Sequence, residues 1–128
     1  MRCLIDTHAL IWAALDPSKL GALAATTIND ASNERYFSAA STWEMAIKIN
    51  IGKMVIPGGL SAFIAAASQQ LLLKPLVVLP EHTIILESLP LHHTDPFDRL
   101  LVAQALYENL PIVSIDAKLD PYHVRRLW

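Results

Sequence analysis

The sequence predicts an α/β fold, with a parallel, doubly wound sheet of about five strands and helices on both faces. Short apolar runs alternate with longer helical patterns along the chain, and parallel strands need such helical crossovers between them. These crossovers are right-handed, which favours the doubly wound arrangement. No repeat, linker or low-complexity tract interrupts the alternation, and 128 residues is an ordinary length for one domain. We therefore expect one domain that spans residues 1–128.

Five short apolar runs are the predicted strands. The first, RCLI, is brief and ends at Asp6, as expected for a buried strand with an acid at its exit. The others are RYFSA, PLVVL, PIVSI and VRRLW, at residues 35–39, 75–79, 111–115 and 124–128. Their separation by helical patterns is typical of a parallel sheet.

Helical patterns fill the intervals between these runs. THALIWAAL starts directly after Asp6, and a second helix begins at Ser18 after the break at Pro17. STWEMAIKINIGK opens with Ser41 and stops at Gly52, a residue type favoured just past a helix end. The remaining predicted helices are SAFIAAASQQL, EHTIILESL and DRLLVAQALYENL.

The composition limits what the chain can bind. Hydrophobic residues make up 53% and charged residues 17%, so part of the apolar excess is expected to face partner chains. The net charge of −2 gives no bulk positive field, so phosphate binding needs local cations. The single cysteine, Cys3, has no partner for a disulfide or a zinc site, and we expect it to pack in the core.

The N-terminal residues lead directly into a strand pattern without the features of a secretory signal, so we expect a cytoplasmic protein. Residues 54–73 carry no charge, which is long enough to suggest a membrane span. Pro57, Gly58 and Gly59 interrupt this stretch, and several Ser and Gln residues follow. A turn and a short amphipathic helix are therefore expected there, without membrane insertion.

Four isolated acids are the candidate functional residues: Asp6, Glu44, Asp98 and Asp116. Asp6 and Asp116 follow strands, Glu44 lies early in the helix after the second strand, and Asp98 begins the helix before the fourth. Carboxyl ends of parallel strands share one edge, where ligands bind. Carboxylates gathered there repel one another, and Mg²⁺ or Mn²⁺ is the natural counterion.

This arrangement predicts hydrolysis of a phosphodiester by metal-bound water. Asp6 and Asp98 are expected to hold the metal directly. Glu44 and Asp116 would complete a second site or orient the attacking water. The metal would also offset the repulsion between RNA and the acidic pocket.

Each acid alone also has a structural explanation. Asp6 and Asp116 can cap helix starts, and Ser41 with Glu44 forms an S-x-x-E capping box. Asp98 lies in the first turn of a helix, where an acid favours the helix dipole. Four unrelated caps that converge on one edge are a less economical account than one site, so the functional interpretation is preferred.

Short side chains beside the acids can hydrogen-bond the carboxylates: Thr7, Ser41 and Ser114. Lys48, one turn after Glu44, either pairs with it in the site or forms a plain surface ion pair.

Histidine and tryptophan receive smaller roles. His92 and His93 can line the mouth of the pocket, but four acids suffice as oxygen ligands and no zinc-ligand spacing is present. Trp12 and Trp43 lie on apolar helix faces, so we expect core or interface anchors rather than platforms for base stacking.

Four segments resemble the successive signature segments of PIN-domain ribonucleases, specifically the VapC-like toxins of toxin–antitoxin pairs: LIDTHALIW, SAASTWEMAIKINIGK, HHTDPFDRLLVAQA and IVSIDAKLDPYHVRRLW. The resemblance implies a single PIN-like domain, a Mg²⁺- or Mn²⁺-dependent endoribonuclease, a homodimer, and a cognate antitoxin protein that blocks the site. Asp6 matches the first-strand acid and Glu44 the acid of the S-x-x-E helix. Asp98 matches the acid of the D-x-x-L/I-x-A helix, and Asp116 that of S/T-x-D.

Two other functions remain open. A phosphatase of another doubly wound fold would use Asp6 as nucleophile, but a dehalogenase-type site needs a second Asp where this chain has His8. A non-catalytic PIN-like module would bind RNA or protein without cutting, yet it has no need of four repelling acids. The neighbouring acids Asp95 and Asp120 are expected to be secondary.

Overall fold

The computed structural model describes residues 1–128 and contains one five-stranded parallel sheet with the strand order β3-β2-β1-β4-β5. The strands are β1 (Arg2–Ile5), β2 (Glu34–Ser38), β3 (Leu73–Leu76), β4 (Ile112–Val113) and β5 (Arg126–Leu127). The α-helices are α1 (Thr7–Leu15), α2 (Ala22–Asn29), α3 (Ala39–Asn50), α4 (Leu60–Leu71), α5 (Pro80–Ile85) and α6 (Pro96–Glu108). Short 3₁₀ helices occupy Pro17–Lys19 and Ala117–Tyr122. The predicted fold class is confirmed.

Both faces of the sheet are buried. Successive strand residues point to opposite sides, so one strand can contribute to both hydrophobic clusters. Cys3 and Ile5 of β1 join one hydrophobic cluster, and Leu4 joins the other. Val113 and Ile112 of β4 divide in the same way. Helices α1, α2 and α4 supply the first cluster, whereas α6 supplies much of the second. Helices therefore cover both faces, as predicted.

The strand order reverses beside β1. Strands β2 and β3 extend the sheet on one side of β1, and β4 and β5 extend it on the other. Ile5 pairs with Val113, and the backbone N–H of Asp6 donates to the Val113 carbonyl at 3.1 Å. Ligands of doubly wound sheets bind in the crevice at such a reversal, outside the carboxyl ends of the strands. Asp6 and the residues after Val113 border this crevice.

Several predicted boundaries were wrong, and two of them have a clear structural cause. Strand β3 covers residues 73–76 rather than 75–79, and Pro75 lies inside it. An edge strand tolerates proline because one side of its backbone needs no partner, and β3 is at the edge of the sheet. Helix α2 begins at Ala22 rather than Ser18, because residues 17–19 form a separate 3₁₀ turn.

The uncharged stretch from residue 54 to 73 forms a turn followed by α4, as the sequence predicted. None of the helices has both the length and the apolar character that a membrane crossing requires.

Candidate metal centre and its cleft

A cleft of about 460 Å³ opens at the carboxyl ends of β1 and β4. Its lining residues are Asp6, His8, Trp12, Asp98, Ile115, Asp116 and Ala117. The structure therefore brings three of the four predicted acids to one cleft, although they lie far apart in the sequence. The fourth, Glu44, is buried behind this surface and does not line the cleft.

Asp6 is both a helix cap and a wall of the cleft. Its Oδ1 accepts from the backbone N–H of Ala9 at 2.7 Å, which fixes the start of α1. Burial raises the pKa of Asp6, although hydrogen bonds from Ser114 and Ala9 oppose the shift and the charge of Glu44 adds to it. The structural and functional interpretations of this residue are therefore compatible.

The predicted capping box of Ser41 and Glu44 is wrong. Helix α3 begins at Ala39, and the hydroxyl of Ser38 accepts from the N–H of Ala40 at 2.9 Å. Strand β2 ends at Ser38 and leads into the helix without a loop, so the last strand residue is also the cap. Ser41 lies inside the helix and is fully buried.

The Glu44 carboxylate does not cap α3 and instead hydrogen-bonds to two other side chains. The Thr7 hydroxyl donates to its Oε1 at 2.7 Å and lies 2.9 Å from the Ser41 hydroxyl. The Lys48 ammonium donates to its Oε2 at 2.8 Å. This hydrogen bond raises the pKa of Lys48, and the charges of Glu44, Asp95 and Asp98 add to the shift despite partial burial. Lys48 is therefore a cation within the acid cluster.

Asp98 projects from the first turn of α6 with its carboxylate uncommitted to the helix. Asp95 is the N-cap, because its Oδ1 accepts from the N–H groups of Phe97 and Asp98 at 2.8 and 3.0 Å. This arrangement agrees with the prediction that Asp95 serves the helix start.

The electrostatic environment of Asp98 shows how closely the acids approach. Burial, together with the charges of Asp95, Glu44 and Asp6, raises its pKa from 3.8 to about 7 against the opposing effect of His93. Carboxylates that share a site cannot all ionise easily without a cation.

His93 joins two of the acids, a role that the sequence did not reveal. Its Nε2 lies 2.6 Å from Oδ2 of Asp116 and 3.3 Å from Oδ2 of Asp98. Its Nδ1 accepts from the N–H of Asp95 at 3.0 Å, so the ring proton is on Nε2 in the neutral form. His93 therefore donates to the carboxylates. The spacing of His93 two residues before a helix cap is the one local signal that could have indicated this role.

Asp116 caps the 3₁₀ helix that follows β4. Its Oδ1 accepts from the N–H of Lys118 at 3.0 Å. Burial acts to raise the pKa of Asp116, but the hydrogen bonds from Lys118 and His93 outweigh it and lower the pKa below its ordinary value. Asp120, by contrast, lies outside the cleft and pairs with Arg126 at 2.6 Å.

The model of the PIN domain family matches residues 3–123. The chain belongs to the PIN domain family. The structure of this PIN domain is also similar to a chain in the crystal structure of VapBC2 from Rickettsia felis bound to a DNA fragment from their promoter, with a TM-score of 0.73, full coverage of both chains and 12% identity. No curated protein matches the sequence.

The donor set of this PIN domain fits a hard divalent cation. Oxygens of Asp98 and Asp116 lie within 4.8 Å of each other, and Asp6 borders the same cleft. His93 donates its Nε2 proton to these carboxylates and holds them in place rather than serving as a ligand. Carboxylate oxygens are the ligands that Mg²⁺ and Mn²⁺ prefer. The raised pKa of Asp98 indicates that Lys48 and His93 do not balance the negative charge. A divalent cation would supply the missing charge.

Proposed function

We propose that this PIN domain is a Mg²⁺- or Mn²⁺-dependent endoribonuclease and the toxin of a toxin–antitoxin pair. The observation that carries the proposal is the convergence of Asp6, Asp98 and Asp116 on one cleft at the strand-order reversal. Glu44 stands close enough to raise the pKa values of Asp6 and Asp98. Membership of the PIN family and the structural similarity to VapBC2 support the same function.

Asp6 and Asp98 would hold the cation, and Glu44 and Asp116 would complete a second site or orient water. A bound divalent cation supplies polarisation of the phosphoryl oxygen and activation of water. The protein's own part is positioning: the N–H of Ala9 fixes one oxygen of Asp6, and His93 fixes one oxygen of Asp116. Preorganised groups of this kind need little rearrangement during the reaction.

The helix starts add to the electrostatics of the site. Helices α1 and α6 begin at the cleft, so their positive dipole ends face the same place as the carboxylates. These dipoles favour an RNA phosphate but act over only one turn of helix. Because the acids would repel RNA, we expect weak RNA binding until a cation is present.

We also propose a homodimer and a cognate antitoxin as partners. Trp43 and Ile47 of α3 and its C-cap residue Ile51 form a stripe with four-residue spacing, and each is exposed by 38% or more. A stripe of this kind is typical of a surface that another chain covers. The similar chain of VapBC2 was solved in a complex, which supports the antitoxin proposal.

The two alternatives have less support. A dehalogenase-type phosphatase that uses Asp6 as nucleophile would need a second Asp at the position of His8. A non-catalytic module would have no reason to keep Asp98 in surroundings that raise its pKa to about 7. Membership of the PIN family also disfavours the phosphatase.

A cleavage assay with two matched variants tests the proposal. We expect the protein to cut single-stranded RNA with Mg²⁺ or Mn²⁺ and to stop when a chelator is added. Asp98→Asn should lower the cleavage rate by at least about 100-fold, because even outer-shell changes at metal sites cost 10–100-fold. Asp95→Asn is the control, since asparagine caps helices as well as aspartate does and cleavage should persist.

Three results would contradict this assignment. Full activity in Asp98→Asn would remove Asp98 from the site. Loss of cleavage in a stably folded Asp95→Asn variant would transfer the role to Asp95. A folded wild-type protein that binds the metal and RNA yet cuts no RNA would favour the non-catalytic module.

A further inference from the structure

The cleft holds more than the acid cluster. Its volume of about 460 Å³ is many times the roughly 30 Å³ that one water takes in the liquid, so a hydrated ion leaves space. His8 and Trp12, one turn apart on α1, line it together with Ile115. Ile115 is 49% exposed. Carboxylates therefore lie beside an apolar and aromatic surface within one continuous cleft.

Trp12 contacts two other aromatic rings. Its ring lies 5.9 Å from that of Trp128 and 5.7 Å from that of His8, tilted by 59° and 45° respectively. Trp128 in turn packs so closely against Gly21 that a Cβ there would come within 2.7 Å of it. The tilted contacts anchor the indole without covering the part of it that lines the cleft.

We propose that the surface formed by His8 and Trp12 binds the base of a nucleotide next to the phosphate that is cut. The inference rests on the proposed nuclease function and adds to it a binding site for one base of the substrate. The acids and their cation engage the phosphate, and the neighbouring base is covalently tied close to it. A base can stack on an aromatic ring only when it is free of a duplex, so the substrate is single-stranded at this nucleotide.

The charges around the surface agree with a nucleotide. The Lys19 ammonium lies 5.9 Å from the centre of the Trp12 ring. Lys19 is exposed and its contact with Asp16 is long, at 3.8 Å, so it is available to a second phosphate. The sequence favoured an anchor over a platform for base stacking at Trp12, and we depart from that expectation because the residue lines the cleft.

Trp43 provides a matched comparison. It is 58% exposed and directly precedes Glu44, but its ring packs edge-on against Phe97 and does not line the cleft. The proposal therefore assigns base binding to Trp12 and not to Trp43.

The experiment measures how much the enzyme depends on one base. The cleaved bond is first mapped on a single-stranded RNA oligonucleotide, and an abasic ribose is then placed on either side of it. For one of the two positions we expect wild-type kcat/KM to fall by roughly 5- to 150-fold, the equivalent of base–aromatic stacking. Trp12→Leu should lower kcat/KM for intact RNA by a similar factor. For this variant, the abasic ribose should then lower kcat/KM only slightly further.

Three further variants make the result specific. Trp12→Phe keeps an aromatic ring and should restore most of the dependence on the base. Tyr107→Leu, which removes an exposed aromatic ring outside the cleft, should retain the full wild-type penalty for the abasic ribose. His8→Ala changes an exposed side chain that can be removed without disturbing the core, so it reports even where Trp12→Leu does not fold, and it should reduce the abasic penalty.

The outcomes separate this inference from the nuclease function. If the wild type cuts intact and abasic RNA equally well, the base-binding surface does not exist while the nuclease stands. If Trp12→Leu and His8→Ala keep the full abasic penalty, the base lies elsewhere and the aromatic surface serves a protein partner. Complete absence of metal-dependent cleavage by the wild type would instead reject the nuclease itself. An unchanged rise of the melting temperature with Mg²⁺ in Trp12→Leu shows that the acid cluster is intact.

Discussion

Burial and neighbouring negative charges together disfavour the ionised form of Asp98. Its ordinary pKa is 3.8, and burial together with the charge of Asp95 raises it to about 7 in the folded, metal-free protein. Between these two values the folded chain binds a proton that the unfolded chain has lost. Stability therefore falls as the pH rises through this window, and the full penalty is present above it.

Replacement of Asp98 by asparagine should remove this penalty. At about pH 8, without metal, we expect Asp98→Asn to be more stable than the wild type by on the order of 2 kcal/mol, and at about pH 4 the difference should shrink. Urea unfolding at both pH values measures it. Asp120→Asn is the control: its partner Arg126 lowers the pKa of Asp120, so that variant should gain no stability. If Asp98→Asn is less stable than the wild type at the higher pH, ionised Asp98 does not destabilise the fold.

The sequence predicted the acids better than it predicted their partners. Asp6 and Asp116 were recognisable because each directly follows a predicted strand, where a parallel sheet collects its ligands. His93 was not, because its contact with Asp98 and Asp116 depends on the path of the irregular segment before α6. A loop path has no periodicity from which it could be read.

Helix starts perform two tasks in this protein. Asp6 caps α1 and borders the cleft, and Asp116 caps a 3₁₀ helix and binds His93. Sequence rules identified these caps but assigned the start of α3 to Ser41 instead of Ser38. Both serines precede a helical pattern, and only the paired strand β2 shows that the chain is still extended at Ser38. Tertiary pairing decided this boundary.

Gln104 connects the helices that carry two of the acids. It is fully buried in α6, its amide donates to the Val77 carbonyl at 3.1 Å, and its Oε1 accepts from the Ser38 hydroxyl. Ser38 is the cap of α3, so α6 with Asp98 and α3 with Glu44 are joined through one side chain. Buried polar groups of this kind are costly to leave without partners.

Gln104→Met keeps the side-chain length but removes these hydrogen bonds. We expect a loss of about 2–6 kcal/mol of unfolding free energy, because the Ser38 hydroxyl and the Val77 carbonyl would each lose a partner at about 1–3 kcal/mol. The midpoint of urea unfolding measures the loss. Gln70→Met, at an exposed position of α4, is the matched control and should change little. Equal midpoints for the two variants would show that the connection contributes nothing.

The site as a whole exists only in the assembled sheet. Its acids come from the ends of β1 and β4 and from helices α3 and α6, so no local segment contains it. The alternation of strands and helices predicted that these places share one edge. The strand order, and hence the reversal beside β1, required the structure.

Binding of a cation should therefore stabilise the whole fold. A ligand at 100 times its dissociation constant adds about 2.7 kcal/mol when only the folded state binds it. We expect Mg²⁺ and Mn²⁺ to raise the melting temperature more at about pH 8 than at about pH 5.5, because protons compete for Asp98 below its pKa. Thermal unfolding over a metal titration at both pH values measures the effect.

Two variants show whether the cation binds at Asp98. Asp98→Asn should lose most of the metal-dependent shift at both pH values, since it lacks a charge that the cation neutralises, whereas Asp120→Asn should keep the wild-type shift. A shift of equal size at both pH values would mean that the cation binds away from Asp98. If the metals do not change the melting temperature, the acids meet in the folded protein without binding a cation. The repulsion that helps to raise the pKa of Asp98 to about 7 would then not reflect a metal site.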